Sequence, residues 1–398
     1  MSQLRPQLMG DSSRRRFLAN SASVGLLAIG VPHSSARAVQ GSAEAPPVST
    51  RRDVPWLDEV VRFPAERVAA AGEPDPPLVP LGLDGAVPSD AAAWRALRAA
   101  VLEKWERFLG PAPKVPVPAL KPEVLAEESL PSHVRRRVRW EVEARVFLDA
   151  WLLIPRGTAP DGGWPAVVAL HQTSNRTIDE IAGVGGAGRD PQSRGVDLVE
   201  AGFVTVCPKN FLWQDAPSFG TAVDRWNTRA PGARGMRKML YDSRRAVDLL
   251  DVAGVPVDKR RIGCFGHSLG AKEVLYLMAF DERLAAGVAS DGGVPFRSTN
   301  WDAPWYLGKD CVAEASQAGL GHHQLLALAA PRPLLIVAGG EKRGGADGER
   351  TLPLVQAANP AWRHSTEPPR LGLWNHDEGH SLSDRVWKRC LEWLAAYV

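Results

Sequence analysis

The chain is most constrained by the pentapeptide Gly266-His267-Ser268-Leu269-Gly270, which joins an apolar strand pattern to a helical one. A serine between two glycines at such a junction is typical of a nucleophile elbow, a sharp turn that lifts the serine hydroxyl above a sheet. The glycines are required because neighbouring backbone passes close by and leaves no space for a Cβ atom. Short Gly/Ser patterns also occur in ordinary loops, so the prediction depends on the strand before Gly266 and the helix over 271–280. In this context we predict that Ser268 is a catalytic nucleophile.

An export signal is predicted over residues 1–38. Arginines at positions 14–16 precede Phe17-Leu18, a mildly apolar run follows over 22–31, and Ala36-Arg37-Ala38 supplies an A-x-A cleavage site. This three-part order is that of a signal peptide, and the twin arginine followed by Phe-Leu resembles the Tat signal. We therefore expect the Tat export machinery as a partner, cleavage after Ala38, and a periplasmic or secreted protein. The apolar run is too short for a stable membrane span.

The composition is that of an ordinary globular protein, with 44% hydrophobic and 23% charged residues in a chain of 398. The net charge of +3 is small and owes something to the arginine-rich N-terminus, so no nucleic-acid partner is expected. The four cysteines, at positions 207, 264, 311 and 390, lack the spacing of a metal site. They predict neither a disulfide framework nor a nucleophilic thiol.

Residues 39–128 are predicted to form a linker and an N-terminal helical extension. The linker, over 39–55, is rich in Ala, Pro, Ser and Arg. Helical patterns follow over Trp56–Ala71 and Ala91–Leu109, and a proline-rich run separates them. The second helix has one apolar face that must pack on the rest of the chain.

Residues 129–398 are predicted to form the main domain, an α/β fold. A strand-like alternation from His133 and a second strand over 144–155 indicate an antiparallel hairpin. Six apolar strands then alternate with helices: strands over 166–170, 204–208, 261–266, 286–290, 333–338 and 370–374, and helices over 194–201, 235–253, 271–280, 352–358 and 383–397. Such alternation predicts a mostly parallel central sheet with helices on both faces.

A serine hydroxyl needs a neighbouring base, and in this fold an acid and a histidine follow the serine in chain order. His380 is our choice of base over His376, because Gly-His directly before the last helix fits the base loop. For the acid that orients the histidine, Asp347 is the first choice and Glu341 the second, since both follow the strand at 333–338. Asp291, after the previous strand, is the third.

A developing oxyanion needs preorganised donors. We predict the backbone N–H of Leu269 and the main chain of Gln172, in the loop after the 166–170 strand, for this role. His171 is predicted to be a polar wall of the substrate pocket. A metal role is not expected for it, because no second histidine or carboxylate stands at ligand spacing beside it. Gly183 to Gly188 lacks the GK[ST] end of a phosphate-binding loop, and no cofactor is implied.

Four segments together resemble the dienelactone-hydrolase and acetyl-xylan-esterase-like branch of the α/β-hydrolases: 170–173 (LHQT), 235–251 (GMRKMLYDSRRAVDLLD), 261–270 (RIGCFGHSLG) and 330–334 (APRPL). The resemblance covers about 130–398. It implies hydrolysis of carboxylic esters, on carbohydrate or other plant-derived material outside the cytoplasm, with Ser268, Gln172 and His380 in the family's roles. The loop over 339–349 departs from the commoner Gly-x-x-Asp spacing, which leaves the acid open.

An insertion over 292–330 stands where this fold often builds a lid or a substrate pocket. Its Trp301 and Trp305, together with Trp213 and Trp226 from after the 204–208 strand, are candidates for stacking on sugar rings. The core of a lid is an equally good reading of these rings. The adjacent histidines His322-His323 are expected on a solvated loop.

The prediction that follows is an exported serine esterase. A serine peptidase has the same fold and triad, but such peptidases commonly carry a large N-terminal domain, for which residues 39–130 are too few. A non-catalytic binding protein is the alternative of a different class. The intact elbow with an acid and a base in the right order argues against it.

Overall fold

The computed structural model of the chain describes residues 53–79, 81, 88–113, 119–185, 191–214, 216–340, 344–364 and 368–398. The predicted export signal, most of the linker and Glu341 lie outside these ranges. No helix within them is long and apolar enough to cross a bilayer.

A single sheet organises the described residues. Its strands are β1 (Glu123–Ser129), β2 (His133–Glu143), β3 (Val146–Pro155), β4 (Trp164–Leu170), β5 (Val204–Pro208), β6 (Val257–His267), β7 (Leu284–Ser290), β8 (Leu334–Ala338) and β9 (Leu371–Asn375). They lie in the order β1-β2-β3-β5-β4-β6-β7-β8-β9. β1, β2 and β3 are antiparallel, β3 pairs antiparallel with β5, and the six strands from β5 to β9 are parallel. The predicted hairpin and the six parallel strands are therefore confirmed, whereas β1 was not predicted.

Twelve α-helices lie in the described ranges: α1 (Leu57–Val61), α2 (Ala65–Ala70), α3 (Ala91–Leu109), α4 (Ile178–Ile181), α5 (Arg194–Glu200), α6 (Phe219–Arg229), α7 (Gly235–Leu249), α8 (Leu269–Phe280), α9 (Cys311–Gln317), α10 (His322–Ala329), α11 (Leu352–Arg363) and α12 (Asp384–Tyr397). The helix predicted over 56–71 is two helices, because Pro64 cannot continue a helix interior and instead precedes α2. α4, α6, α9 and α10 were not predicted.

Helices cover both faces of the sheet, as predicted. Successive residues of β4 show this directly: Ala166, Val168 and Leu170 belong to one buried apolar cluster, and Val167 and Ala169 to the other. The first cluster contains side chains of α3, α7, α8, α10 and α11, and the second contains side chains of α1, α5 and α12. Alternate residues of a strand point to opposite faces, so the sheet is the middle layer of three. This is the α/β-hydrolase architecture.

The 292–330 insertion contributes several side chains to the buried core, although other residues of it are exposed. Trp301 is 0% exposed and donates from Nε1 to the carbonyl of Gly293 at 2.6 Å. His322, expected on a solvated loop with His323, is buried on α10. Its Nε2 lies 3.0 Å from the Tyr276 hydroxyl and its Nδ1 lies 2.7 Å from the carbonyl oxygen of Val294. That expectation was wrong because the imidazole finds polar partners inside the core.

Candidate active site

Ser268 occupies a strained turn at the carboxyl end of β6. Its φ is +57° and its ψ is −115°, and it stands directly before α8. A non-glycine residue held in a sparsely populated region costs of order 1–3 kcal/mol and is found most often at functional sites. The backbone N–H of Ser268 donates to the carbonyl of Ser290, the last residue of β7, at 2.9 Å. The serine predicted as nucleophile is thus held at the sheet edge where the parallel strands end.

The two glycines that flank the serine permit close backbone contact. A Cβ on Gly266 would lie 2.2 Å from the carbonyl carbon of Gly270, and a Cβ on Gly270 would lie 2.1 Å from the carbonyl oxygen of Leu170. No side chain fits at these distances. α8 can therefore begin directly against the end of β4, which places His171 and the loop after it beside the first turn of the helix.

The residues predicted to supply the oxyanion donors, Leu269 and Gln172, lie in the two segments that meet at this junction. Leu269 opens α8, and the first N–H groups of a helix have no partner within the helix. Gln172 follows the end of β4 by two residues, and its side chain donates to Glu180 at 3.1 Å. His171, predicted as a pocket wall, is 3% exposed. Both of its ring nitrogens are engaged, Nδ1 with the carbonyl of Gln172 and Nε2 with the backbone N–H of Asn210. It supports the loop from inside.

His380 is paired with Asp291. Its Nδ1 hydrogen-bonds one carboxylate oxygen of Asp291, whose side chain is 0% exposed while that of His380 is 35% exposed. Asp291 directly follows β7 and has a φ of +53°, and its carboxylate turns towards the histidine. The ring of His267, next to Ser268, lies 4.7 Å from that of His380 between centroids. The pair therefore stands beside the elbow. His376 instead accepts from the N–H of Glu378.

The second oxygen of Asp291 is held by the loop after β8. It accepts hydrogen bonds from the N–H groups of Ala346 at 2.8 Å, Asp347 at 2.9 Å and Gly339 at 3.3 Å. Burial alone would raise the pKa of this carboxyl. The hydrogen bonds from His380 and from the Asp347 and Ala346 backbone outweigh it and hold the pKa of Asp291 below its usual value. Asp291 is therefore a carboxylate at neutral pH.

Asp347, the first choice for the acid, does not contact the histidine through its carboxylate. Its oxygens accept from the N–H groups of Gly293 and Val294 and from the Thr351 hydroxyl, each at 2.7 Å. Burial, with the charge of Asp291 beside it, raises the pKa of Asp347. Both acids follow neighbouring parallel strands, and the third choice, Asp291, is the one turned towards His380. Asp291 accepts hydrogen bonds from the backbone of the loop that carries Asp347, and Asp347 accepts hydrogen bonds from the backbone that follows Asp291. We call these two sets of hydrogen bonds the reciprocal brace.

Three half-buried aromatic side chains, Trp213, Phe219 and Trp305, form a row that starts at His171. The ring centroids lie 5.2 Å apart for His171 and Trp213, 4.7 Å for Trp213 and Phe219, and 5.5 Å for Phe219 and Trp305. We call these three residues the aromatic row. Two of its members were predicted; Phe219 was missed because α6, which it opens, was missed. Trp301 and Trp226, the other predicted tryptophans, are both 0% exposed and pack as core.

Two buried charged residues on α8 escaped the sequence analysis. Lys272 donates to the carbonyl of Gly292 at 2.5 Å and lies 4.0 Å from the centroid of the Trp301 ring. Glu273 accepts from Asn210 and Ser243. Burial lowers the pKa of Lys272 to about 7 and raises that of Glu273 to about 8. The available signal was Lys-Glu inside the otherwise apolar run of this helix, where charges are rarely buried.

No family model matches the chain. It is similar to a 4-O-methyl-glucuronoyl methylesterase of Phanerochaete carnosa (strain HHB-10118-sp), with 25% identity over 272 residues. These make up 58% of this chain and 58% of the relative, so the chain spans little more than half of that curated relative.

Solved structures share the fold over most of the chain. A glucuronoyl esterase from Solibacter usitatus has a TM-score of 0.63 at 19% identity, covering 80% of this chain and 97% of that one. An acetyl xylan esterase from Paenibacillus sp. R4 has a TM-score of 0.51 at 14% identity, covering 84% and 100%. The α/β-hydrolase fold predicted from the sequence is shown.

We predict that Lys272 makes the free energy of unfolding rise with pH. Its pKa is about 7 in the folded chain against an ordinary 10.5, so between these values the unfolded chain binds more protons. Urea unfolding of wild type and Lys272→Met at several pH values should show the wild type gaining relative to the variant above about pH 7, by at most about 1.4 kcal/mol per pH unit.

Glu273→Gln is the matched control, because the stability of wild type relative to this variant should change with pH in the opposite direction. The folded pKa of Glu273, about 8, lies above its ordinary 4.5, so wild type should lose stability relative to that variant as the pH rises towards 8. A pH-independent difference for Lys272→Met would show that Lys272 stays charged in the folded chain.

Proposed function

We propose that the chain is a serine esterase that uses Ser268 as nucleophile, His380 as base and Asp291 as orienting acid, carried by residues 129–398. The observation that carries the proposal is the hydrogen-bonded Asp291–His380 pair beside a strained serine at the carboxyl ends of adjacent parallel strands. A buried carboxylate on a histidine that stays partly exposed is the arrangement that serine catalysis requires.

The proposed reaction begins with proton transfer. Because Nδ1 of His380 is bound to Asp291, Nε2 is the nitrogen that takes the proton of the Ser268 hydroxyl as its oxygen attacks the ester carbonyl. Asp291 stabilises the imidazolium, and the N–H groups of Leu269 and Gln172 stabilise the oxyanion. His380 then returns the proton to the leaving alcohol. Water releases the acid from the acyl-enzyme by the same steps.

The proposed substrate is a carbohydrate-linked ester. Two observations support this class. One is the partly exposed aromatic row beside the predicted oxyanion loop. The other is the similarity to glucuronoyl esterases and an acetyl xylan esterase. Aromatic faces stack on the apolar faces of sugar rings, and such stacking tolerates varied hydroxyl patterns. In one class of relative the sugar is on the acid side of the ester, and in the other it is on the alcohol side.

We expect Ser268→Ala to abolish hydrolysis of p-nitrophenyl acetate and Asp291→Asn to lower kcat by roughly 10³–10⁴-fold, because an asparagine leaves the imidazole in the wrong tautomer. Asp347→Asn is the matched control. It removes the neighbouring buried carboxylate without touching the His380 hydrogen bond, so its kcat should fall far less. Equal losses for the two aspartate variants would contradict the assignment of the acid, and activity in Ser268→Ala would contradict the mechanism.

We expect Trp305→Ala and Phe219→Ala to raise KM for methyl glucuronate esters or acetylated xylo-oligosaccharides by roughly tenfold, since a stacked ring contributes about 0.5–1.5 kcal/mol beyond its buried area. KM for p-nitrophenyl acetate should stay near the wild-type value. Trp226→Phe, a buried tryptophan outside the row, is the control. Cleavage of peptide amides in preference to every ester would instead support the alternative function, that of a serine peptidase.

We also propose export through the Tat machinery, on the strength of Arg14 and Arg15 before Phe17-Leu18. A fusion of residues 1–45 to a reporter that is active only after folded export should be exported. Lysines at both positions 14 and 15 should block export, because the pathway reads the arginine pair. Unchanged export of the lysine variant would point to a different route.

A further inference from the structure

Buried polar side chains connect the nucleophile helix to the loop after β4. Glu273 on α8, Asn210 after β5 and His171 after β4 are each 5% exposed or less. Burying such groups costs free energy unless each is hydrogen-bonded. Lys272 and Glu273 are charged residue types in a helix that is otherwise mostly apolar. Burying Glu273 is costly, so its retention there calls for a task that an apolar side chain cannot perform.

Asn210 is the donor at the centre of these hydrogen bonds. Asn210 donates from Nδ2 to Oε1 of Glu273 at 3.0 Å, and its Oδ1 accepts from the N–H of Leu212 at 3.0 Å. With its side chain fixed at both ends, Asn210 presents its own backbone N–H to Nε2 of His171 at 3.1 Å. The remaining nitrogen of His171, Nδ1, lies 2.7 Å from the carbonyl oxygen of Gln172.

These contacts determine the tautomer of His171. Nε2 receives a backbone N–H, so it must be the unprotonated nitrogen, and the ring proton must lie on Nδ1. Nδ1–H then donates to the carbonyl of Gln172. A ring held in this form anchors the backbone of Gln172, whereas the other tautomer would set two donors, the Nε2–H of His171 and the N–H of Asn210, against each other.

We propose that Glu273 and Asn210 are positioning residues for the oxyanion loop, acting through His171. Ser268 directly precedes α8, and Glu273 lies on that helix five residues further along. One rigid element therefore fixes both the nucleophile and, through Asn210 and His171, the backbone of Gln172. This inference rests on the proposed function. What it adds is that Glu273, Asn210 and His171 hold the Gln172 donor at a fixed position relative to Ser268 without touching the substrate.

The electrostatics of the two ends fit this role. Burial lowers the pKa of His171 to about 4, so the ring is neutral and has only one N–H to donate. Burial raises the pKa of Glu273 to about 8, and Asp242 on α7 raises it further, against the hydrogen bonds of Asn210 and Ser243. Lys238 is occupied with Asp242 and Glu143.

The test compares Glu273→Leu, Glu273→Gln and Ser243→Ala. Leucine removes the acceptor for Asn210, glutamine keeps an acceptor oxygen of the same reach, and Ser243→Ala removes only the partner of the opposite carboxylate oxygen. For p-nitrophenyl acetate we expect Glu273→Leu to lower kcat by roughly 10–100-fold with KM within about threefold of wild type, since loss of a whole oxyanion donor costs about 10²–10³. Glu273→Gln should restore kcat, and Ser243→Ala should match wild type. If Glu273→Leu does not fold, Asn210→Ala replaces it in the test, and we expect the same loss of kcat.

A second measurement does not depend on activity. In ¹⁵N-histidine spectra, His171 should be the Nδ1–H tautomer in wild type and in Glu273→Gln, and should lose that form in Glu273→Leu. Suppose that wild-type hydrolysis depends on Ser268 but that Glu273→Leu changes neither kcat nor the His171 tautomer. That result would overturn this inference and leave the proposed function standing. No Ser268-dependent hydrolysis in wild type would overturn the proposed function and the oxyanion role with it.

Discussion

The site depends on the contact between the first turn of α8 and the end of β4. The Gly270 backbone lies so close to the carbonyl of Leu170 that a single added carbon would overlap it. This contact sets the distance between Ser268, at the head of the helix, and Gln172, just beyond the strand. Any relaxation there separates a nucleophile from the donors predicted for its oxyanion, even where both side chains remain intact. Protein interiors are packed too tightly to absorb such a shift elsewhere.

Two of the described non-glycine residues with positive φ lie at the ends of neighbouring strands. Ser268 after β6 and Asp291 after β7 both have positive φ, and both are tied to the adjacent strand by a backbone hydrogen bond, from Ser268 to Ser290 and from Asp291 to Val337. These bonds offset part of the cost of the unusual backbone. They also fix the positions of the two residues relative to each other, because each backbone is bound to a strand of the same sheet rather than to a surface loop. The His380 side chain, which is partly exposed, is the more adaptable member of the three.

Much of this arrangement follows from sequence patterns that have a local cause. The elbow could be predicted because glycine spacing and a strand-to-helix switch are properties of neighbouring residues. The position of His380, after the last strand and before the last helix, could be predicted from the chain order. The carboxylate that pairs with His380 could not, since Asp291 and Asp347 follow adjacent strands and differ in which way a buried carboxylate turns. The same holds for Trp301: whether a ring in an insertion faces solvent or core depends on contacts with Gly293, Lys272 and His322, which are distant in sequence or set by the fold.

The reciprocal brace has a consequence for how the sequence of this chain can evolve. Asp291 binds the backbone of the loop that carries Asp347, and Asp347 binds the backbone of the loop that carries Asp291. Each acid is thus part of the scaffold of the other, and neither position is free to drift alone. A lineage in which the acid moved from one strand end to the other would need no new loop. It would already have both carboxylates in place, but Asp347 would have to exchange its hydrogen bonds to Gly293 and Val294 for one to the histidine.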